Sequence, residues 1–308
     1  MNRTTTFLLR SLLACAALSP LASAQSVAFK FCGSLFVVGS SGADDLWLRG
    51  VGGDVSVTAN GGTAVNGAAV ANFSGVWGAV VVATGSGGDV VRFTDSQRPG
   101  DVLVSLGNGD DLFYGERNQF GASLWIDGGN AAQHGDVVAL SGSAGEGNSI
   151  ARSLAVTGQH LTIGARDCVV GRDMLLVSGS GPDFLHVDGI VTVLGDVYVA
   201  TGNNHDQVQF ASFSDSEGNQ IHGDLVIESG SGNDLVRIGS DLGGVSTVGG
   251  HAWLSLGSGN DTLEVRRSEF IGPVLALGGD GFDRVVAANP GQGNVFGPFA
   301  TFSVESVE

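Results

Sequence analysis

A short turn closing on an aspartate recurs along this chain, most completely as Gly230-Ser231-Gly232-Asn233-Asp234 and Gly257-Ser258-Gly259-Asn260-Asp261, each between two apolar runs. The closing residues are Asp45, Asp89, Asp111, Asp136, Asp183, Asp206, Asp234, Asp261 and Asp283, so the steps run 44, 22, 25, 47, 23, 28, 27 and 22 residues. The two long steps are doubled short ones, and degraded copies fill them: Gly53-Asp54-Val55-Ser56-Val57 ahead of Gly61-Gly62, and Leu161 to Asp167. A repeat in the twenties implies a solenoid, because a unit of that size cannot bury a core alone.

The flanks decide what each unit is. Three positions before the first glycine stand Val82, Val104, Leu176, Val199, Ile227, Leu254 and Leu275, and two positions earlier Val80, Val102, Met174, Val197 and Leu225. Beyond the aspartate the pattern resumes as Val91 and Phe93, Leu185 and Val187, Val208 and Phe210, Val236 and Ile238, Leu263 and Val265. Alternation with period two marks strands with one buried face. No window of the mature chain sustains a helical period for ten residues, and the glycines would weaken one. Two strands joined by a glycine corner, with a looser return, make one coil of a parallel β-helix. The expected fold is therefore all-β, a right-handed parallel β-helix of about eleven or twelve coils with a period of about 22–28 residues, at ~4.8 Å per coil a rod ~55 Å long. Residues 25–308 form one domain in this reading, capped by Ser26–Val38 with Phe29, Phe31 and Phe36 at one end and by Phe296–Val307 at the other.

Composition agrees: 51 of 308 residues are Gly and 15% are charged, but 43% are hydrophobic, which is enough for a core. Met1–Ala24 carries Arg3 and Arg10, the apolar run Leu12–Leu18 and the small-x-small site Ala22-Ser23-Ala24, and reads as a secretory signal peptide. Leu12-Leu13-Ala14-Cys15 offers a competing lipoprotein-type acylation box, with a short apolar stretch. Cleavage after Ala24 removes two arginines and no acid, so the formal charge of −17 becomes −17 − 2 = −19. No later segment reaches 18 apolar residues, so none is expected to span a membrane. Cys32 and Cys168 fall several coils apart, too far for a disulfide unless the N-terminal segment folds back.

With one lysine, Lys30, and 13 arginines, two of which (Arg3 and Arg10) leave with the leader, the chain has no basic stripe to follow a phosphate backbone, which argues against nucleic acid. An acidic surface suits cations. Aspartates stacked at one corner ~5 Å apart repel by about 3 kcal/mol per pair at an effective dielectric near 20. Either turn amides donate to the carboxylates, or a cation bridges coils.

These turns resemble the haemolysin-type (RTX) calcium repeat, Gly-Gly-x-Gly-x-Asp-x-apolar-x, which Gly278 to Val286 matches throughout. Most other copies keep Gly-x-Gly-x-Asp alone, with Thr84, Leu106, Ser178, Ser229 or Leu256 in place of the first glycine; Asn204 replaces the middle glycine before Asp206, and an insertion separates Gly128-Gly129 from Asp136. The resemblance implies calcium held between stacked turns, by Asp89, Asp111, Asp136, Asp183, Asp206, Asp234, Asp261 and Asp283. The best pairs would be Asp89 with Asp111, Asp206 with Asp234, Asp234 with Asp261, and Asp261 with Asp283, with Asp45 the weakest. RTX repeats follow every nine residues and leave by a C-terminal signal. This chain has one motif per coil and an N-terminal signal, so a wider β-helix is expected.

Catalytic signatures are sparse. Outward positions after the corner carry Arg92, His186, Gln209, Arg237 and Glu264; Tyr198 and Trp253 are outward aromatics able to stack on sugars. The histidines at 134, 160, 186, 205, 222 and 251 have no metal spacing, and neither a Gly-x-Ser-x-Gly elbow nor a phosphate loop occurs. The sequence reads as a secreted, calcium-binding, adhesin-like structural or surface-interaction protein, with polysaccharide or cell-surface material as partner. The alternative is a carbohydrate-active enzyme or lectin working near Arg237 and Glu264.

Overall fold

The computed structural model describes residues 25–131, 133–142, 146–211, 218–239, 244–287 and 294–307. Residues 1–24, which the sequence reading takes as a signal peptide, lie outside them. Every described element is a strand, turn or bend, and no helix among the described residues is long and apolar enough to cross a membrane.

The chain is a parallel β-solenoid whose coils have three faces. The first face stacks Val80–Ser86, Val102–Gly109, Leu124–Asp127, Leu154–Thr157, Met174–Val177, Val197–Ala200, Leu225–Glu228, Ala252–Gly259 and Val274–Gly281, in parallel register. The second begins after the aspartate corner with Val90–Thr94, Leu112–Glu116 and Asp136–Ser141 and continues to Arg284–Val286. The third is narrow, with strands such as Gln97–Arg98, Gln119–Phe120 and Ser268–Phe270. In two coils, Leu161–Val170 and Phe184–Val193, one strand runs through both of the last faces, with a register shift between Arg166 and Cys168.

Alternation builds the core as expected. In the coil from Leu225 to Val248 the inward residues Leu225, Ile227, Val236, Ile238 and Val248 are all buried, each contributing ~2 kcal/mol of transfer free energy before conformational entropy is counted. Each rung stacks on chemically similar rungs, for example Val82 under Val104 under Ile126. One hydrophobic cluster runs from Ala28 to Ala287.

Nine complete coils stand between Val80 and Phe296, fewer than the sequence suggested. The difference lies before Val80. Asp45–Val51 and Asp54–Ala59 pair antiparallel, and Val70–Phe73 adds to them antiparallel, so the copy around Gly53 is a hairpin and not a coil. Gly52 at φ +59 allows that reversal, a conformation residues with a Cβ rarely adopt. The N-terminal cap also differs. Gln25–Phe31 and Ser34–Val38 form a hairpin at the edge of the first face, with Phe29 stacked on Phe36 at 5.4 Å and Phe31 largely exposed. Its aromatics lie outside, and that end of the core is closed by the hairpin's Ala28, Leu35 and Val37 together with Val55, Val57 and Val65 and with Arg98, whose buried guanidinium donates to the carbonyls of Gly52, Val76 and Gly78. At the other end, Phe299–Phe302 and Ser306–Val307 add a partial coil.

Candidate functional site

The aspartate corner is forced by stacking. The first glycine of the Gly-x-Gly turn has φ between +86 and +109 at Gly85, Gly107, Gly129, Gly202, Gly230, Gly257 and Gly279, Gly179 being the exception, and a Cβ at any of Gly107, Gly230 or Gly257 would collide with a glycine carbonyl of the coil before. The middle glycine is tighter still, and at Gly232 a Cβ would meet the Asn204 carbonyl. Asn204 itself sits at φ +88, the left-handed region asparagine tolerates. Close backbone approach alone thus accounts for most of the turn glycines.

The aspartates occupy the inside of this corner. Where one face ends and the next begins, a backbone amide loses its carbonyl partner in the adjacent coil, and the side chain supplies the missing acceptor. The Asp89 amide donates to Asp111 Oδ1 at 2.7 Å, Asp111 to Asp136 at 3.0 Å, Asp183 to Asp206 at 2.8 Å, Asp206 to Asp234 at 2.9 Å, Asp234 to Asp261 at 2.8 Å and Asp261 to Asp283 at 3.0 Å. In the coil that lacks the motif Leu161 stands in the column; the Asp136 amide donates to the His160 carbonyl, and the Leu161 amide to Asp183 Oδ1. Glu305 ends the series by accepting from the Asp283 amide at 2.7 Å.

Its first member is Asp44 and not Asp45. The Asp44 amide donates to Asp89 Oδ1, whereas Asp45 faces outward and pairs with Arg92. Parity was the available signal: Asp44, Leu46 and Leu48 alternate inward just as Asp89, Val91 and Phe93 do. Asp44 is also the one member with both oxygens engaged, by the Ser26 hydroxyl at 2.8 Å and by the Ser40 amide at 2.6 Å.

In the eight others, Asp89, Asp111, Asp136, Asp183, Asp206, Asp234, Asp261 and Asp283, the second oxygen is buried and has no hydrogen-bond partner. Loss of solvation is the largest influence on each carboxyl and raises its pKa, to about 7 at Asp111, Asp183 and Asp234 and about 6 at Asp136. The donated amide works against that shift but does not overcome it. Nearby hydroxyls do not repair the deficit by donation, since Thr84, Thr201 and Ser229 give their hydrogens to the carbonyls of Leu106, Ser229 and Leu256. A hydroxyl so engaged can accept from a protonated carboxyl.

The orphaned oxygens are what a cation would find here. A calcium between two coils would be held by the pairs Asp89 with Asp111, Asp206 with Asp234, Asp234 with Asp261, or Asp261 with Asp283. Each interval offers two such oxygens against the six to eight ligands calcium takes, and the described residues contain no group of three or more His, Cys, Asp or Glu placed to hold a metal.

Two other corners carry polar ladders that the sequence reading passed over. At the second, Asn118 and Asn148 pass hydrogen bonds from coil to coil, and Asn219 and Asn294 do the same further along. Cys168, wholly buried, fills one rung next to Asn148, and burial pushes its thiol up to about 12; Cys32 and Cys168 are both free. At the third corner Asp101, Asp173, Asp196 and Asp224 accept amides across coils from an exposed position.

In the outward stripe nominated for catalysis the arginines are spent on neighbouring carboxylates, Arg92 on Asp45 and Arg237 on Glu264. Arg237 donates to Glu264 at 2.8 Å across one rung, with Arg266 at 3.6 Å from the same carboxylate. Gln209 is buried. Tyr198 donates to Glu228 at 2.6 Å, and Trp253 stands half-exposed on the first face, where Trp125 joins it. His205 accepts the Asn233 amide at 2.7 Å within the turn ladder. No protein-family model, curated protein or solved structure matches this chain.

Proposed function

We propose that this protein is a secreted structural rod of the adhesin kind, which presents its outer faces to extracellular surface material, and that calcium neutralises its aspartate corner when the carboxyls ionise. The carrying observation is the hydrogen-bonded corner that runs from Asp44 to Glu305 and ties every coil to the next. A chain that commits its recurrent motif to holding coils in register, and whose outward arginine and glutamate pair with each other, is built for length and stiffness. Below the carboxyl pKa values the proton satisfies the orphaned oxygens. Above them calcium would do so, sharing two carboxylates per interval with turn carbonyls and water, at the sub-millimolar to millimolar affinity of extracellular modules. Melting curves at pH 5 and pH 8, each with calcium and with chelator, test this. Calcium should raise the melting temperature at pH 8 and leave it unchanged at pH 5. No effect at either pH removes calcium from the reading, and the proton remains.

A further inference from the structure

The third face carries a concavity on the rod. A groove of about 690 Å³ lies across the first coils, between Trp77 and Pro99 on one side and Asp167 and Ile190 on the other, with Gln97, Gln119 and Ser149 along it. Those three residues are in direct register, one per coil, and Val169 continues the row, so the row is about three rung spacings or ~14 Å long. All three are exposed, and among the described residues their side-chain amides and hydroxyl make no hydrogen bond. Trp77 is 67% exposed, with its indole lying against Gly53, where a Cβ would displace it.

The charges around the groove decide what kind of ligand suits it. Arg98 is turned inward onto three carbonyls. The Asp167 carboxylate is mostly buried, accepts the Ile190 amide and lies 3.6 Å from Arg166. Neither offers a free charge, and a chain with formal charge −17 disfavours polyanions generally. What remains is one indole face beside a row of amides and a hydroxyl, each able to donate and accept. Ring hydroxyls of sugars need that dual capacity, and the apolar face of a pyranose stacks on an exposed aromatic ring.

We propose that this groove binds a neutral polysaccharide chain along the solenoid axis, with Trp77 stacked on one sugar ring and Gln97, Gln119 and Ser149 reading the hydroxyls of the rings that follow. Successive sugars of an extended glycan repeat at close to the spacing of the coils, so one rung meets one ring. This site rests on the surface-interaction reading and gives it a ligand class. Its place is not the one named by the carbohydrate-active alternative of the sequence reading, near Arg237 and Glu264.

Calorimetric titration of the folded protein with cello-, xylo-, manno-, malto- and chito-oligosaccharide hexamers tests the proposal. One neutral series should bind; Trp77→Ala should weaken it at least about tenfold and Gln119→Ala about three- to tenfold, while Trp253→Ala on the first face leaves it unchanged. Because Trp77 also packs on Gly53, the Gln119→Ala result stands as the independent arm should the first variant fail to fold. Absence of binding by every neutral series at millimolar concentration overturns the groove, as does binding that survives both substitutions. Binding lost only in Trp253→Ala also overturns it, but leaves the surface-interaction reading in place on another face.

Discussion

Two corners of each coil carry aspartate ladders made of the same bond, a backbone amide donating to Oδ1 across coils, and they differ in nearly everything else. At the first corner the amide of the earlier coil donates to the aspartate of the later one, as Asp206 does to Asp234; at the third the direction reverses, as the Asp224 amide donates back to Asp196 at 2.9 Å. The first ladder is buried; the third is exposed. Water can complete the solvation of Asp196 or Asp224, whereas Asp234 keeps an oxygen with no partner. A repeated Asp turn therefore does not by itself denote a metal site. The residue serves first as a substitute carbonyl, and burial alone decides whether a charge problem remains.

The largest effect separating the corners should come from removing the acceptor. Asp234→Ala strands the buried Asp206 amide and should cost about 2 kcal/mol at pH 5, where the carboxyl is protonated, while Asp196→Ala leaves an amide that water can reach and should cost about 0.5 kcal/mol. Chemical denaturation of both variants checks this. Equal losses would mean that burial is not what distinguishes the ladders.

Acidity should separate them next. An aspartate in the unfolded chain titrates near 3.8, but Asp111, Asp183 and Asp234 do so at about 7 and Asp136 at about 6 in the fold. Between those values the unfolded chain releases protons that the folded one retains. The stabilisation is complete below about pH 4, is lost as pH rises through about 7, and is flat beyond it. In chelator, the melting temperature at pH 8 should lie several degrees below that at pH 5, on the order of 5 °C. A melting temperature that rises over the same interval would show that the corner carboxyls are satisfied in some way their burial does not suggest.

Much of this is legible in the sequence, and the parts that are not are hidden for physical reasons. Period-two alternation placed Val80, Val102, Val197 and Leu225 in one inward row, because a strand that buries one face must alternate. The glycines marked the corner for a reason equally local, the positive φ of Gly230 and its neighbours. Repeat spacing points to Asp45, whereas inward parity points to Asp44, the buried member. The hairpin at Gly52 leaves no such mark, because Val55-Ser56-Val57 alternates equally well in an antiparallel ribbon, and alternation does not encode strand direction. The groove was invisible for a different reason. Gln97 and Gln119 are 22 residues apart and stack one above the other, but nothing local to either shows that Trp77, on a loop before Val80, stands beside them.

The smallest expected effect is also the sharpest. Asp234→Asn keeps the Oδ1 acceptor for the Asp206 amide and turns the orphaned oxygen into a donor, beside a Ser229 hydroxyl whose own hydrogen already goes to Leu256. The variant should melt about 1–3 °C above the wild type at pH 8 in chelator and within about 1 °C of it at pH 5, because the wild-type carboxyl is already neutral there. Asp224→Asn, on the exposed ladder, should change neither value. If Asp234→Asn instead melts lower at pH 8, the ionised carboxylate itself stabilises the corner. A bound cation then becomes the explanation, and the calcium arm of the melting experiment should lose its effect in that variant while keeping it in Asp224→Asn.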